Sequence, residues 1–172
     1  MAYTESAIEA VVDKQRQYFR TGETLPVKFR IRQLKKLKAA IIANEKTLEE
    51  ALAKDLGRSA VEAYLCDIGP TIVEINETIR GLRKWARAEC HYSGMMCFPS
   101  LKTKVYKMPY GVTLLISPFN FPVMLTLGVL NASIAGGNTA VIKASSKSPE
   151  CTEETDRGEF PSGIYHTHRR RA

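Results

Sequence analysis

The chain has 172 residues, 44% of them apolar and 25% charged, with a formal net charge of +7. That length and balance fit one globular domain, or part of a larger one, and exclude a disordered chain. No apolar stretch reaches the roughly 18 residues a membrane span needs, and residues 1–10, MAYTESAIEA, lack the basic flank and apolar block of a secretory signal, so the expected location is cytoplasmic with no membrane partner.

The first ninety residues read as helices. TESAIEAVVDKQRQYFRTG opens on polar cap candidates and stops at Gly22, Pro26 starts a second helix, and Asn44 can cap NEKTLEEALAKDLG, which closes at Gly57. Ser59 and Glu62 have the spacing of a capping box. From Thr71 to Ala88, Ile72, Ile75, Ile79, Leu82 and Trp85 recur at helical spacing, which predicts a long helix with a buried stripe and a Trp packed in the core.

The second helix holds the densest basic run, Lys28, Arg30, Arg32, Lys35, Lys36 and Lys38. A nucleic-acid surface is the functional reading of such a run. Val27, Ile31, Leu34 and Ile41 share the opposite face, so the favoured reading is a solvated amphipathic helix and no nucleic-acid partner. The run Arg169, Arg170, Arg171 has no interleaved aromatic residue and makes a poor stacking platform.

Four cysteines, Cys66, Cys90, Cys97 and Cys151, show no paired spacing and read as free thiols, with Cys66 expected in the core and Cys151 at the surface. His91, His166 and His168 are too few and too scattered for a zinc site, and no metal is expected.

After Glu89 the pattern changes. CHYSGMMCFPS has no usable period and reads as a loop, and LKTKVYKMPY alternates as a half-exposed strand or ribbon arm would over residues 101–109. GVTLLIS predicts a parallel strand covered on both faces, VMLTLGVLNASIAGG a helix ended by Gly136–Gly137, and NTAVIKAS a second short strand. Residues 111–145 therefore form a βαβ unit. Such a unit needs a larger sheet, and its unpaired edge offers a surface for self-association or for strand addition by a partner.

Between the first strand and the helix stands SPFNFP. Ligands of open α/β sheets bind beyond the carboxyl ends of the strands, which is where this turn falls. Pro122 suits a first helical turn, since its missing N–H has no partner there anyway. Asn120 can cap the helix or point its amide into the crevice as a hydrogen-bond donor, and spacing alone favours the cap. No G-x-G-x-x-G or P-loop sequence is present.

The stretch GVTLLISPFNFPVMLTLGVLNASIAGGNTAVIKAS resembles the aldehyde dehydrogenase superfamily, whose members carry PxGVxxxIxPWNxP followed by AxxAGNxxVxKPSE. EAYLCDIGPTIVEINETIRGLRKWA with MPYGV is similar to the shorter branch, which acts on fatty and aromatic aldehydes. The resemblance covers residues 1–151 and implies an α/β fold: an N-terminal helical region followed by a partial Rossmann-like βαβ unit, the first part of an NAD(P)-binding domain. Residues 152–172 depart from the family and are expected to form a divergent, disordered tail.

The resemblance also implies roles. Asn120 matches the family's oxyanion donor, which shifts the reading from cap to donor. Lys143 matches the Lys that hydrogen-bonds the adenosine ribose of NAD or NADP, and Ile116, Ser117, Pro118 and Phe119 match the loop lying along that cofactor. Phe119 replaces the usual Trp. Ser146 stands where the family carboxylate meets the ribose hydroxyls, exchanging a charge for a hydroxyl. None of the four cysteines matches the family nucleophile, and the Glu base has no counterpart. The expectation is a truncated or frameshifted aldehyde dehydrogenase, inactive alone.

Overall fold

A computed structural model of the chain describes residues 4–100, 102–157 and 165–168. Helix α1 (Glu5–Arg20) stops where Gly22 takes a φ of 76°, and α2 (Val27–Ala43) follows Pro26, whose carbonyl accepts the Phe29 and Arg30 amides. Asn44 does not cap α3 (Glu45–Leu56): its side-chain nitrogen turns back and donates to the Ala40 carbonyl at 2.8 Å, closing α2. Gly57 ends α3 in the left-handed conformation. The Ser59–Glu62 capping box is formed and starts α4 (Ala60–Ala63).

A wide π turn, Tyr64–Ile68, joins α4 to α5 (Gly69–Trp85). Helix α5 packs on α2 and on the later helix α6 (Met124–Gly136), and Leu34, Leu37, Ile41, Leu48, Leu52, Ile75, Leu82, Leu127 and Leu130 fill the shared core. Each such aliphatic side chain contributes roughly 1.5–3 kcal/mol when taken out of water.

Residues 90–92, expected in a loop, belong to β1 (Glu89–Tyr92), paired antiparallel with β2 (Lys102–Val105) so that Glu89 faces Val105. Every residue of both strands is exposed, so neither face imposes the alternation that marks a half-buried strand. The second sheet has the order β3 (Val112–Ile116), β4 (Thr139–Lys143), β5 (Tyr165–His168), all parallel. Helix α6 covers one face, over Leu115 and Ile142. Helix α1 lies against the other and leaves Leu114 and Ile116 63% and 68% exposed, so β3 is not covered on both faces.

Other expectations give way for local reasons. Cys66, in the π turn, is exposed, whereas Cys151 is buried on α7 (Pro149–Arg157) beneath α3. The Trp85 ring is 50% exposed and lies along its own helix, in the space a side chain on Gly81 would need. Arg30 leaves the charged face and is buried, donating to the carbonyls of Thr24, Leu25 and Ala135 at 2.9, 2.7 and 3.0 Å. Residues 152–157 continue α7 and 165–168 add the third strand, so the change of sequence character at 151 is not a structural boundary. The arginines at 169–171 lie outside the described residues. Among the described residues no helix is long and apolar enough to cross a membrane.

Candidate functional site

The parallel register aligns Ile116 with Lys143 at the carboxyl ends of β3 and β4, and the Ser117 amide extends the ladder by donating to the Lys143 carbonyl at 3.0 Å. Gly111 and Asn138 fix the other end: the Asn138 side-chain oxygen accepts the Gly111 amide at 3.0 Å, and the Thr139 amide donates to the Gly111 carbonyl at 2.9 Å. With both ends pinned, the loops 117–123 and 144–148 emerge side by side. The Lys147 ammonium sits 5.0 Å from the centre of the Phe119 ring and joins them. Lys143 is half-buried, Ser117 is buried, and Pro118, Phe119, Asn120 and Ser146 are exposed.

Asn120 is not the cap of α6. It stands in the bend before the helix, and its own carbonyl accepts the Arg58 guanidinium at 2.7 Å. The cap comes from another element. Asp67, in the π turn, is fully buried, and its carboxylate accepts the Met124 amide at 2.9 Å. It also pairs with Arg58, whose guanidinium lies 4.8 Å from the Phe121 ring centre. Burial pushes the Asp67 carboxyl above its ordinary range, against the opposing effect of the Met124 amide and the Arg58 charge.

Helix α7 is closed in the same manner: the Asp55 carboxylate, from α3, accepts the Glu150 amide at 3.2 Å and the Cys151 amide at 2.8 Å. Burial, then the bond with Asp55, pushes the Cys151 thiol far up, so it is held as an unreactive thiol. Both helix starts that follow the parallel strands are thus occupied by carboxylates. A phosphate, which in many α/β domains sits on such amides, finds neither available here.

The cations and hydroxyls beside them are available. Lys143 and Ile116 line a groove of about 650 Å³ between α1 and the uncovered face of β3 and β4, with Leu114, Val141, Arg16 and Arg20. An apolar wall next to a half-buried ammonium suits a ribose with its base. Ser145, Ser146 and Lys147 continue the rim with no carboxylate until Glu150, which pairs with Lys54. These are the side chains that could hold a dinucleotide.

The structure brings Ile116, Ser117, Phe119 and Lys143 to one end of the sheet with Asn120 in the adjoining loop. Sequence reasoning missed Arg58, Asp67 and Asp55. The signal for Asp67 was present, because Ala63, Asp67, Thr71, Ile75, Thr78 and Leu82 form one buried stripe in which Asp67 is the sole charged residue.

Comparison with known proteins gives a consistent result. The profile of the aldehyde dehydrogenase family matches residues 1–157. The 4,4'-diaponeurosporen-aldehyde dehydrogenase of Staphylococcus aureus is 39% identical over 142 residues, covering 83% of this chain and 31% of that protein. Aldehyde dehydrogenase family 3 member B1 of Bos taurus is 38% identical, over 78% of this chain and 28% of its own length. The solved substrate-bound state of Staphylococcus aureus AldH superposes with a TM-score of 0.89 at 35% identity, over 94% of this chain and 36% of that one. The chain spans about a third of the length of these relatives.

Proposed function

Because the chain belongs to the aldehyde dehydrogenase family, we propose that its 172 residues supply the adenosine-ribose side and the oxyanion donor of an NAD(P)-dependent oxidation of an aldehyde to a carboxylic acid. The observation that carries this reading is the Ser117–Lys143 hydrogen bond, which sets the cofactor-side Lys and the start of the Asn120 loop on adjacent strand ends. The side-chain amide of Asn120, released from capping by Asp67, is the donor for an oxyanion. Lys143 and Ser146 meet the ribose, and Ile116, Ser117, Pro118 and Phe119 form the wall along which the nucleotide lies. A nicotinamide cofactor held by these residues would supply the hydride acceptor for the aldehyde carbon.

A rim of lysines and serines without a carboxylate favours NADP over NAD, since a 2'-phosphate meets attraction there and no repulsion. None of the four cysteines matches the family nucleophile, and Cys151 is buried with its thiol pushed far up by that burial. By this reading the 172 residues turn over no aldehyde on their own. Free cysteines suit a reducing cytoplasm.

Calorimetric titration with NAD⁺ and NADP⁺, alongside activity assays with hexanal and benzaldehyde, tests the reading. The expected result is no turnover and millimolar-range affinity, about −4 kcal/mol, with NADP⁺ tighter. Absence of heat for both nucleotides at high concentration overturns it.

A second reading is supported by β3. Among the described residues its outer edge has no partner strand, and Leu114 and Ile116 are largely exposed beside it. That combination suits an interaction module that adds a strand from a second copy or from a full-length relative.

A further inference from the structure

We infer that Arg58 and Asp67 are positioning residues for Asn120, a clamp that aims the loop 119–124 from the helical layer. The inference rests on the proposed role of Asn120 as oxyanion donor.

The loop has few supports of its own. Pro118, Phe119 and Asn120 are exposed, and the clamp holds the segment from outside through Arg58 on the Asn120 carbonyl and Asp67 on the amides that open α6. One nitrogen of Arg58 contacts the Asp67 carboxylate while the other donates to the Asn120 carbonyl at 2.7 Å. The other oxygen of Asp67 accepts the Met124 amide, so the same pair grips the segment on both sides of Phe121 and Pro122. The guanidinium face against the Phe121 ring fixes the plane in which those donors lie.

The position of the carboxylate is equally determined. The π turn carries Asp67 fully into the core, and the Thr71 hydroxyl donates to the Asp67 carbonyl at 2.6 Å. A buried carboxylate left unpaired is costly, so Asp67 holds Arg58 in place, and Arg58 in turn holds Asn120. A purely structural ion pair needs only the charges. This arrangement also uses the fork.

Backbone-amide hydrogen exchange and the NMR line widths of the Asn120 side-chain amide read the clamp directly. Arg58→Lys keeps a cation opposite Asp67 but provides one nitrogen where two are used. In that variant the amides of 119–121, 123 and 124 should exchange ~10-fold or more faster, and the Asn120 amide signals should broaden, while amides of α2 and α3 stay within about two-fold. Asp67→Asn keeps an oxygen for Met124 and loses the charge that holds Arg58, and it should give the same local pattern. Should Asp67→Asn not fold, Arg58→Lys on a partly exposed side chain still decides. Unchanged exchange at 119–124 in Arg58→Lys, or equal acceleration through α2 and α3, overturns the clamp. Nucleotide titration of the parent chain is the separate check: lack of NAD⁺ and NADP⁺ binding overturns the proposed function on which this inference rests, whereas the exchange pattern alone decides what holds the loop.

Discussion

The Arg30 guanidinium occupies the space where a side chain on Gly137 would stand: a Cβ there would lie 2.6 Å from the nearest guanidinium nitrogen. Arg30 comes from α2, and Gly137 ends α6 with a φ of 85°. The contact locks the helical layer to the turn that leads into β4.

Gly137→Ala brings a clash and a left-handed backbone together, and is expected to lower the unfolding free energy by about 1–3 kcal/mol. Arg30→Met removes the donors of three carbonyls, with an expected loss on the order of 3 kcal/mol. Denaturant unfolding followed by circular dichroism measures both. The double variant should lose less than the sum, because Met relieves the clash.

Replacing Ser146 by Glu adds a carboxylate to a rim of lysines and serines. Affinity for NADP⁺ should fall roughly ten-fold through repulsion of the 2'-phosphate, and NAD⁺ affinity should hold or rise. Paired calorimetric titrations give the ratio. An unchanged ratio places the ribose elsewhere.

Tyr18 gives the fold an alkaline limit. Burial, followed by the hydrogen bond to Glu23, pushes its hydroxyl from 10.0 up to about 12. Between those values the unfolded chain has released a proton that the folded chain keeps, so stability falls as pH rises from 10 towards 12. Urea unfolding at pH 9.5 and at pH 11.5 should show a smaller drop in Tyr18→Phe than in the parent.

The uncovered face of β3 is expected to drive association. Light scattering after size exclusion should show a mass that rises with concentration, and Leu114→Lys, which puts a charge at the middle of the exposed strand, should return it to that of a single chain.

Much of this architecture was legible from local pattern. Helices α1 to α6, the Ser59–Glu62 box, the Gly57 and Gly137 stops and the βαβ order follow from periodicity and turn chemistry, whereas α7 falls where a disordered tail was expected. The cofactor-side residues were legible only through resemblance, because Lys143 and Ile116 have no distinguishing local spacing. Three kinds of feature escaped. The β1 strand has no buried face to write a period into its sequence. Arg30 looks like one more basic residue until α6 brings the Ala135 carbonyl to it, 105 positions away. The cap of α6 comes from Asp67, 57 positions upstream, so no inspection of SPFNFP would reveal that Asn120 is relieved of that duty.

The π turn at Tyr64–Ile68 makes the segment from Ala60 to Trp85 a rod with two phases. Tightening the turn to ordinary α pitch with all of its residues kept would swing the upstream part by about 100° relative to α5. Ala63 would rotate away from the interior and Arg58 would be carried off the far side of the rod. The wide pitch of these five residues therefore matters more to the fold than their outward side chains, and substitutions at exposed Leu65 or Cys66 should be well tolerated.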